Sequence, residues 1–403
     1  MINCKTDKTS NIAIKLASYA LAGKKLDEIP YTDEEMEAVY KYVKKAGISG
    51  LTYMAIEDAV DEDKTFDEES FYFKWKRLRL NGYRHNMLYE KEQKMILDYF
   101  DSHDIWYMPL KGAVVKKYYP SPDVREMNDV DILIDDTKRD EIEQFMTSNG
   151  YHKWIHDYHK NPEIETGDIT VGENADEYVK KPFYYFEFHK YLIEESYNPK
   201  LAEYYQNVKD MLIKDEDNKC GYHFKDEDFY VYLFVHAHKH FSKNGIGIRF
   251  LMDVKVFLDS HKDLDFDYIK NVLEDTEIGQ FESDVREVCK IAFDLETEVD
   301  MDSLSPMQYK LYDSVIGAGT FGNLETRWKN QVYELEKKGK SSKAKYYKSR
   351  LFPDEAWYRL YHPFVHKHKI VKPFFTVYRL TVLAFRGRKN VKKEMDQIGE
   401  KDA

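Results

Sequence analysis

The sequence predicts an α+β fold, with a small mixed sheet set inside helical N- and C-terminal regions. Three observations carry this. The run D-V-D-I-L-I-D-D at 129–136 holds an unbroken apolar stretch, Ile132-Leu133-Ile134, of the kind that buried strands have. The run F-Y-Y-F-E-F-H-K-Y-L, Phe183 to Leu192, alternates faces with a period of two. Before about residue 100 and after about residue 196, apolar residues recur every three or four positions, the spacing of helices.

Taken in order, residues 1–100 read as a helical N-terminal region. The opening M-I-N-C-K-T-D-K-T-S has polar residues ahead of only a short apolar stretch, so it reads as the lead into a first helix rather than a signal peptide. L-T-Y-M-A-I-E-D-A-V and M-I-L-D-Y-F continue the helical spacing, and the acidic stretch from Asp61 to Glu69 reads as a loop or helix start. Residues 101–195 form the mixed core. I-W-Y-M-P-L-K-G is a short extended run ending in Gly112, and A-V-V-K-K-Y-Y-P is a short helix stopped by Pro120. S-P-D-V-R-E-M-N is a loop leading into the first strong strand. Next comes a helix with Thr137 as its expected N-cap and Gly150 as its stop. Short polar strands and turns fill 151–180.

Residues 196–335 read as a second helical domain. D-E-D-F-Y-V-Y-L-F-V-H-A-H-K-H-F is expected as a strong amphipathic helix, followed by a glycine loop and the helix I-R-F-L-M-D-V-K-V-F-L-D-S-H. Further helices follow, and G-A-G-T-F-G-N from Gly317 lies between helices, so it does not read as a phosphate cradle. Residues 336–403 form a basic C-terminal helical arm.

The chain has 403 residues, 42% of them hydrophobic and 33% charged, which excludes a disordered chain. Cys4, Cys220 and Cys289 are odd in number and form no C-x-x-C, which argues against a disulfide framework and a cysteine zinc site. A reducing, cytoplasmic setting fits. Net charge is −12, but 17 Lys and Arg between Lys337 and Lys393 face only Asp354 and Glu355, leaving about −27 on the rest. Such an arm suits RNA, an anionic surface at the inner face of a membrane, or the acidic body itself.

Chemistry concentrates between 110 and 190. Asp129 and Asp131 lie two apart at a strand start, so both carboxylates take one face. Two like charges there are costly without a cation, and Mg²⁺ or Mn²⁺ with carboxylate oxygens resolves the repulsion. On the later strand Glu187 shares a face with Tyr185 and His189, while Phe186 and Phe188 point the other way. If the strands are neighbours, three carboxylates converge as expected metal ligands. Upstream, Lys111 and Gly112 form a strand-to-helix turn, where helix N–H groups, the lysine charge and the fork of Arg125 suit the phosphates of an NTP.

These motifs, P-L-K-G, Y-Y-P, R-E-M-N-D-V-D-I-L-I and F-E-F-H, resemble the uncharacterised bacterial nucleotidyltransferases of the polymerase-beta-like superfamily. The resemblance covers most of the chain and is most specific from Leu110 to Ile134. It implies transfer of a nucleoside monophosphate from an NTP with Mg²⁺, Asp129 and Asp131 as metal ligands, and Glu187 as the carboxylate nearest the acceptor. It also hints that His240, Arg249 and Asp253 line one side of the nucleotide cleft. The superfamily turn is usually Gly-Ser or Gly-Gly, whereas this chain has Gly112-Ala113, as related K-G branches do.

Blander readings stand beside these. Glu187 also reads as a strand-edge acid paired with a Lys or Arg, His189 as a packing residue or one that supports a ligand, and His240, Arg249 and Asp253 as a polar helix–helix contact. His236 and His240 share a helical face, but no third ligand at zinc spacing accompanies them. The acceptor stays open among RNA, protein and small molecule. Two other classes of function stay open too: a catalytically degenerate scaffold, as in cell-surface polysaccharide assembly at a membrane, and a toxin-like enzyme acting on tRNA or protein.

Overall fold

The computed structural model describes residues 8–154, 174–195, 197–243, 245–295, 303–319 and 362–386, with 330, 352 and 358 isolated among the others. The architecture is α+β, as the sequence predicts. Its N-terminal helices are α1 (Lys8–Leu21), α2 (Asp33–Ala46), α3 (Ser49–Met54), α4 (Glu62–Phe66) and α5 (Phe71–Ser102). The start of α2 is fixed by a reciprocal capping box between Thr32 and Glu35, which satisfies two otherwise orphaned amides.

Five strands form the main sheet: β1 (Tyr107–Pro109), β2 (Val130–Ile134), β3 (His152–Lys153), β4 (Ala175–Lys180) and β5 (Tyr184–His189), in the order β1-β2-β5-β4-β3. β2 and β5 run parallel at the centre, and the other pairings are antiparallel. The short helix α6 (Gly112–Val115) follows β1, and α7 (Arg139–Ser148) follows β2. The cap before α7 differs from expectation. Asp135, not Thr137, is the cap, its carboxylate accepting the Thr137 amide, because a 3₁₀ turn over Asp136–Lys138 precedes the helix and moves the cap two residues back. Gly150 stops the segment in the left-handed region at φ 81°.

Alternation on the strands separates the two faces of the sheet. Val130, Ile132, Ile134, Phe186 and Phe188 pack with Ile96 and Phe100 of α5 and Ile142 and Met146 of α7 in one apolar cluster. The opposite face carries Asp131, Leu133, Glu187 and His189. Tyr89 of α5 ties the helix to the sheet, since its hydroxyl donates to the Phe183 carbonyl and accepts from the Tyr185 amide.

The later helices are α8 (Pro199–Tyr204), α9 (Asp226–Lys243), α10 (Ile248–Ser260), α11 (Phe266–Asp275), α12 (Gly279–Ala292) and α13 (Pro306–Gly317), with a two-stranded ribbon of β6 (Leu212–Lys214) and β7 (Tyr222–Phe224). They share one hydrophobic cluster with α1–α3. α9 is more enclosed than an amphipathic helix: every residue from Asp228 to Val235 is buried. It runs through the middle of the helical layer rather than along its surface. Most of the arm beyond 335, and the loop from residue 320, lie outside the described residues.

Candidate active site

The turn after β1 sets the site. The Leu110 amide donates to the Asp131 carbonyl at 3.0 Å, clamping the turn against β2. Lys111 then adopts φ 50° and ψ −124°, a conformation that L-residues rarely hold and that costs on the order of 1–3 kcal/mol. That backbone aims its side chain at β2, and Nζ donates to Asp131 Oδ1 at 2.6 Å. The helix that follows offers fewer free amides than the sequence suggests. The amides of Ala113, Val114 and Val115 already donate to the Leu110 and Lys111 carbonyls, because the tight turn closes on itself.

The parallel pairing of β2 with β5 sets Asp131 directly opposite Glu187 and Leu133 opposite His189. His189 Nε2 lies 2.8 Å from Asp131 Oδ1 and 3.6 Å from Glu187 Oε2. Ligand atoms of Asp131, Glu187 and His189 lie within 4.8 Å of one another, a spacing at which one cation can be held. His189 therefore sits inside the acid cluster. The signal was its position two residues after Glu187, which places it on the same face of the strand. Asn174 backs its other ring nitrogen at 3.3 Å.

Asp129 lies just ahead of β2 and outside that trio, yet it feels the same charges. Burial, then Asp131 and Glu187, push its carboxyl up to about 6. Asp131 behaves oppositely. Burial alone would raise it, but Lys111 and the hydrogen-bonded His189 hold it well below the usual carboxylate range. For His189, burial opposes the charged form, but the hydrogen bond to Asp131 and the nearby Glu187 carboxylate outweigh it and raise its pKa. Three carboxylates, Asp129, Asp131 and Glu187, thus gather beside Lys111 and His189.

The Asp129 shift makes a prediction with an explicit sign. A carboxyl whose pKa rises on folding stabilises the protein below its unfolded value, and that contribution is lost as pH climbs through the folded value. Without metal, Asp129→Asn should therefore raise the melting temperature at pH 8, with a gain of about 1–3 kcal/mol. The gain should vanish near pH 4, where Asp129 is protonated in wild type. Thermal melts in chelator at both pH values check this, and an equal gain at both would contradict it.

Arg125 does not face this cluster as a free phosphate fork. Its Nε and Nη2 donate to the two carboxylate oxygens of Asp253 on α10 at 3.0 and 2.7 Å, and Nη1 donates to the Glu126 carbonyl at 2.9 Å. The Tyr119 hydroxyl also donates to Asp253, at 2.7 Å. Arg249 of α10 donates to the Glu126 carbonyl. Gly112 serves this network: a Cβ there would stand 3.2 Å from the Arg125 guanidinium. What approaches the glycine closely is thus a protein side chain. Together these contacts brace the loop that delivers Asp129. His240 is exposed on α9 between buried neighbours, its ring 4.4 Å from that of His236. Lys239 pairs with Glu194 at 2.8 Å.

Beside this loop lies a cleft of about 250 Å³ lined by residues of α5 and of 123–128, among them Asn81, His85, Asn86, Tyr89, Arg125 and Asn128. Two cations, Lys44 and Arg125, line it, and Arg125 is engaged by Asp253.

The sequence profile of a family described as an uncharacterised nucleotidyltransferase matches residues 32–294, more than half of the chain. No curated protein and no solved structure matches it.

Proposed function

The chain belongs to a family of uncharacterised nucleotidyltransferases, and on that premise we propose a metal-dependent enzyme that transfers a nucleoside monophosphate from an NTP to a hydroxyl of a small acceptor. The observation that carries this is the Asp131–Glu187 pair on adjacent parallel strands, with Asp129 at the mouth of the first. We also place the chain in the polymerase-beta-like superfamily, supported by the D-x-D strand beside a second acid-bearing strand.

In this reading Asp129, Asp131 and Glu187 hold the metal. The donor set suits a hard cation such as Mg²⁺, and His189 at its edge suits Mn²⁺ equally. When bound, the metal neutralises triphosphate charge and makes the acceptor hydroxyl more acidic. His189 orients Asp131 through its 2.8 Å contact. Lys111, held beside Asp131, supplies a point charge for the triphosphate. Glu187, on the strand next to the D-x-D strand, accepts the acceptor's proton. The acceptor oxygen bonds to the α-phosphorus, the bond from that phosphorus to the β-phosphate bridge breaks, and pyrophosphate leaves with the electron pair. Arg125, Arg249 and Asp253 act as positioning residues for the Asp129 loop, and the exposed His240 is a candidate contact for the nucleotide.

A small acceptor is favoured over RNA by the cleft beside the 123–128 loop, which leads into Asp129. Its size and its amide, imidazole and phenol lining suit a hydroxylated small molecule, whereas a nucleic-acid backbone needs rows of available cations. A degenerate scaffold fits less well, since the three acids remain and Asp131 stands opposite Glu187 with His189 beside both.

The test is pyrophosphate release from each of the four NTPs with Mg²⁺ or Mn²⁺ and cell extract, comparing wild type with Asp131→Ala. Metal-dependent release by wild type alone is expected. Equal release by both, with no metal-dependent NTP binding by calorimetry, would overturn the reading in favour of a scaffold.

A further inference from the structure

The family match ends at residue 294, so the described part of the basic arm lies outside it. From 362 to 386 the chain has five Lys or Arg, three His and no acid. A helix of five residues, Pro363–Lys367, leads through a 3₁₀ turn at Lys369–Val371 into the helix Lys372–Arg386. One side of the longer helix packs inward. Phe375 lies against Tyr358 and His362, and Thr376 bonds the Tyr358 hydroxyl at 3.1 Å.

The opposite side is the unusual one. Phe374, Val377, Tyr378 and Thr381 fall on one face at helical spacing, and Ile370 precedes them in line. Ile370 is 86% exposed, Phe374 75%, Val377 62% and Tyr378 58%, with Phe364 nearby at 64%. Single exposed apolar residues need no explanation, but a contiguous stripe of this kind marks a docking surface. Lys367 and Lys369 flank it, both exposed.

We propose that this stripe docks the enzyme onto an anionic membrane, with the helix lying in the headgroup plane and Ile370, Phe374, Val377 and Tyr378 inserted. Two features select a lipid surface. The charge is of one sign throughout, which matches anionic headgroups. The exposed face itself is apolar, with cations at its flanks, the arrangement of an interfacial helix. An RNA-binding face would put cations outward beside stacking rings, and Ile370 and Val377 offer nothing to a phosphate or a base. Among the described residues no helix is long and apolar enough to cross a membrane, so the attachment is peripheral. The acidic body does not forbid it, because charges beyond about 8–10 Å from the surface are screened at physiological salt.

The test uses the full chain and sedimentation with vesicles of equal phosphatidylglycerol and phosphatidylcholine, or of phosphatidylcholine alone. Wild type should bind the anionic vesicles, release at high salt, and bind the neutral ones far less. Phe374→Asp with Val377→Asp should weaken binding about tenfold or more, with pyrophosphate release unchanged. Lys367→Glu with Lys369→Glu, both on the surface, should weaken it as well and serves if the first pair unfolds. Wild-type binding by both pairs overturns the proposal, as does equal binding to neutral vesicles. Retention on homopolymeric RNA without vesicle binding overturns it in favour of RNA, and a loss of self-association by the stripe variant without vesicle binding overturns it in favour of a second copy of the chain.

Discussion

Glu187→Gln should reduce metal-dependent pyrophosphate release by on the order of 10³-fold while leaving the fold intact. Glu187 has no lysine or arginine partner among the described residues, and its ionic contact is His189 at 3.6 Å. Its charge repels Asp129 and Asp131, so neutralising it relieves strain in the metal-free protein. A melting temperature equal to or above that of wild type should therefore accompany the loss of turnover. His189→Gln should be milder, about 10–100-fold, since the imidazole acts through Asp131. Steady-state rates with thermal melts check both. Wild-type turnover in Glu187→Gln would remove the carboxylate from the mechanism.

Arg125→Ala should have the largest effect on stability, a loss of about 3–5 kcal/mol. The guanidinium is 14% exposed and its partner Asp253 7%, so removing the arginine strands a buried carboxylate. Tyr119 would remain as its neutral donor at 2.7 Å. The double variant Arg125→Met with Asp253→Leu should recover most of the loss, because no unpaired charge stays behind. Denaturant unfolding of the three proteins measures this. A single variant as stable as wild type would show that the pair does not brace the Asp129 loop.

The contrast between these two networks explains what the sequence made legible. The shared face of Asp131 and Glu187 could be read because strand periodicity is local: a spacing of two fixes the face, and an acid among aromatics stands out. The neighbouring of β2 and β5 was an inference that the parallel register bears out. His189 was visible only as a face-mate of Glu187. Its contact with Asp131 depends on a register that no local pattern encodes. Arg125 and Asp253 lie 128 positions apart, and nothing at either position announces the other. An arginine ahead of a D-x-D strand reads as a phosphate fork until its partner is seen. The turn at Lys111 misled similarly. A K-G sequence before a helix suggests free amides, but the positive φ at Lys111 tightens the turn until those amides are engaged. α9 read as amphipathic because its polar residues cluster toward its ends, while the buried stretch between them turns every face inward. Residues 155–173 and much of the arm lie outside the described residues, so expectations there rest on sequence.

The central claim is that the α-phosphorus of an NTP moves to an acceptor hydroxyl. The most direct measurement follows label from α- and γ-labelled NTPs into acceptors of a cell extract, with Mg²⁺ or Mn²⁺ and with chelator. Nucleotidyl transfer predicts α-label in the acceptor and γ-label in pyrophosphate, both abolished by chelator and by Asp131→Ala. γ-Label in the acceptor would make the enzyme a phosphotransferase, and metal-independent labelling would remove the carboxylate cluster from the chemistry.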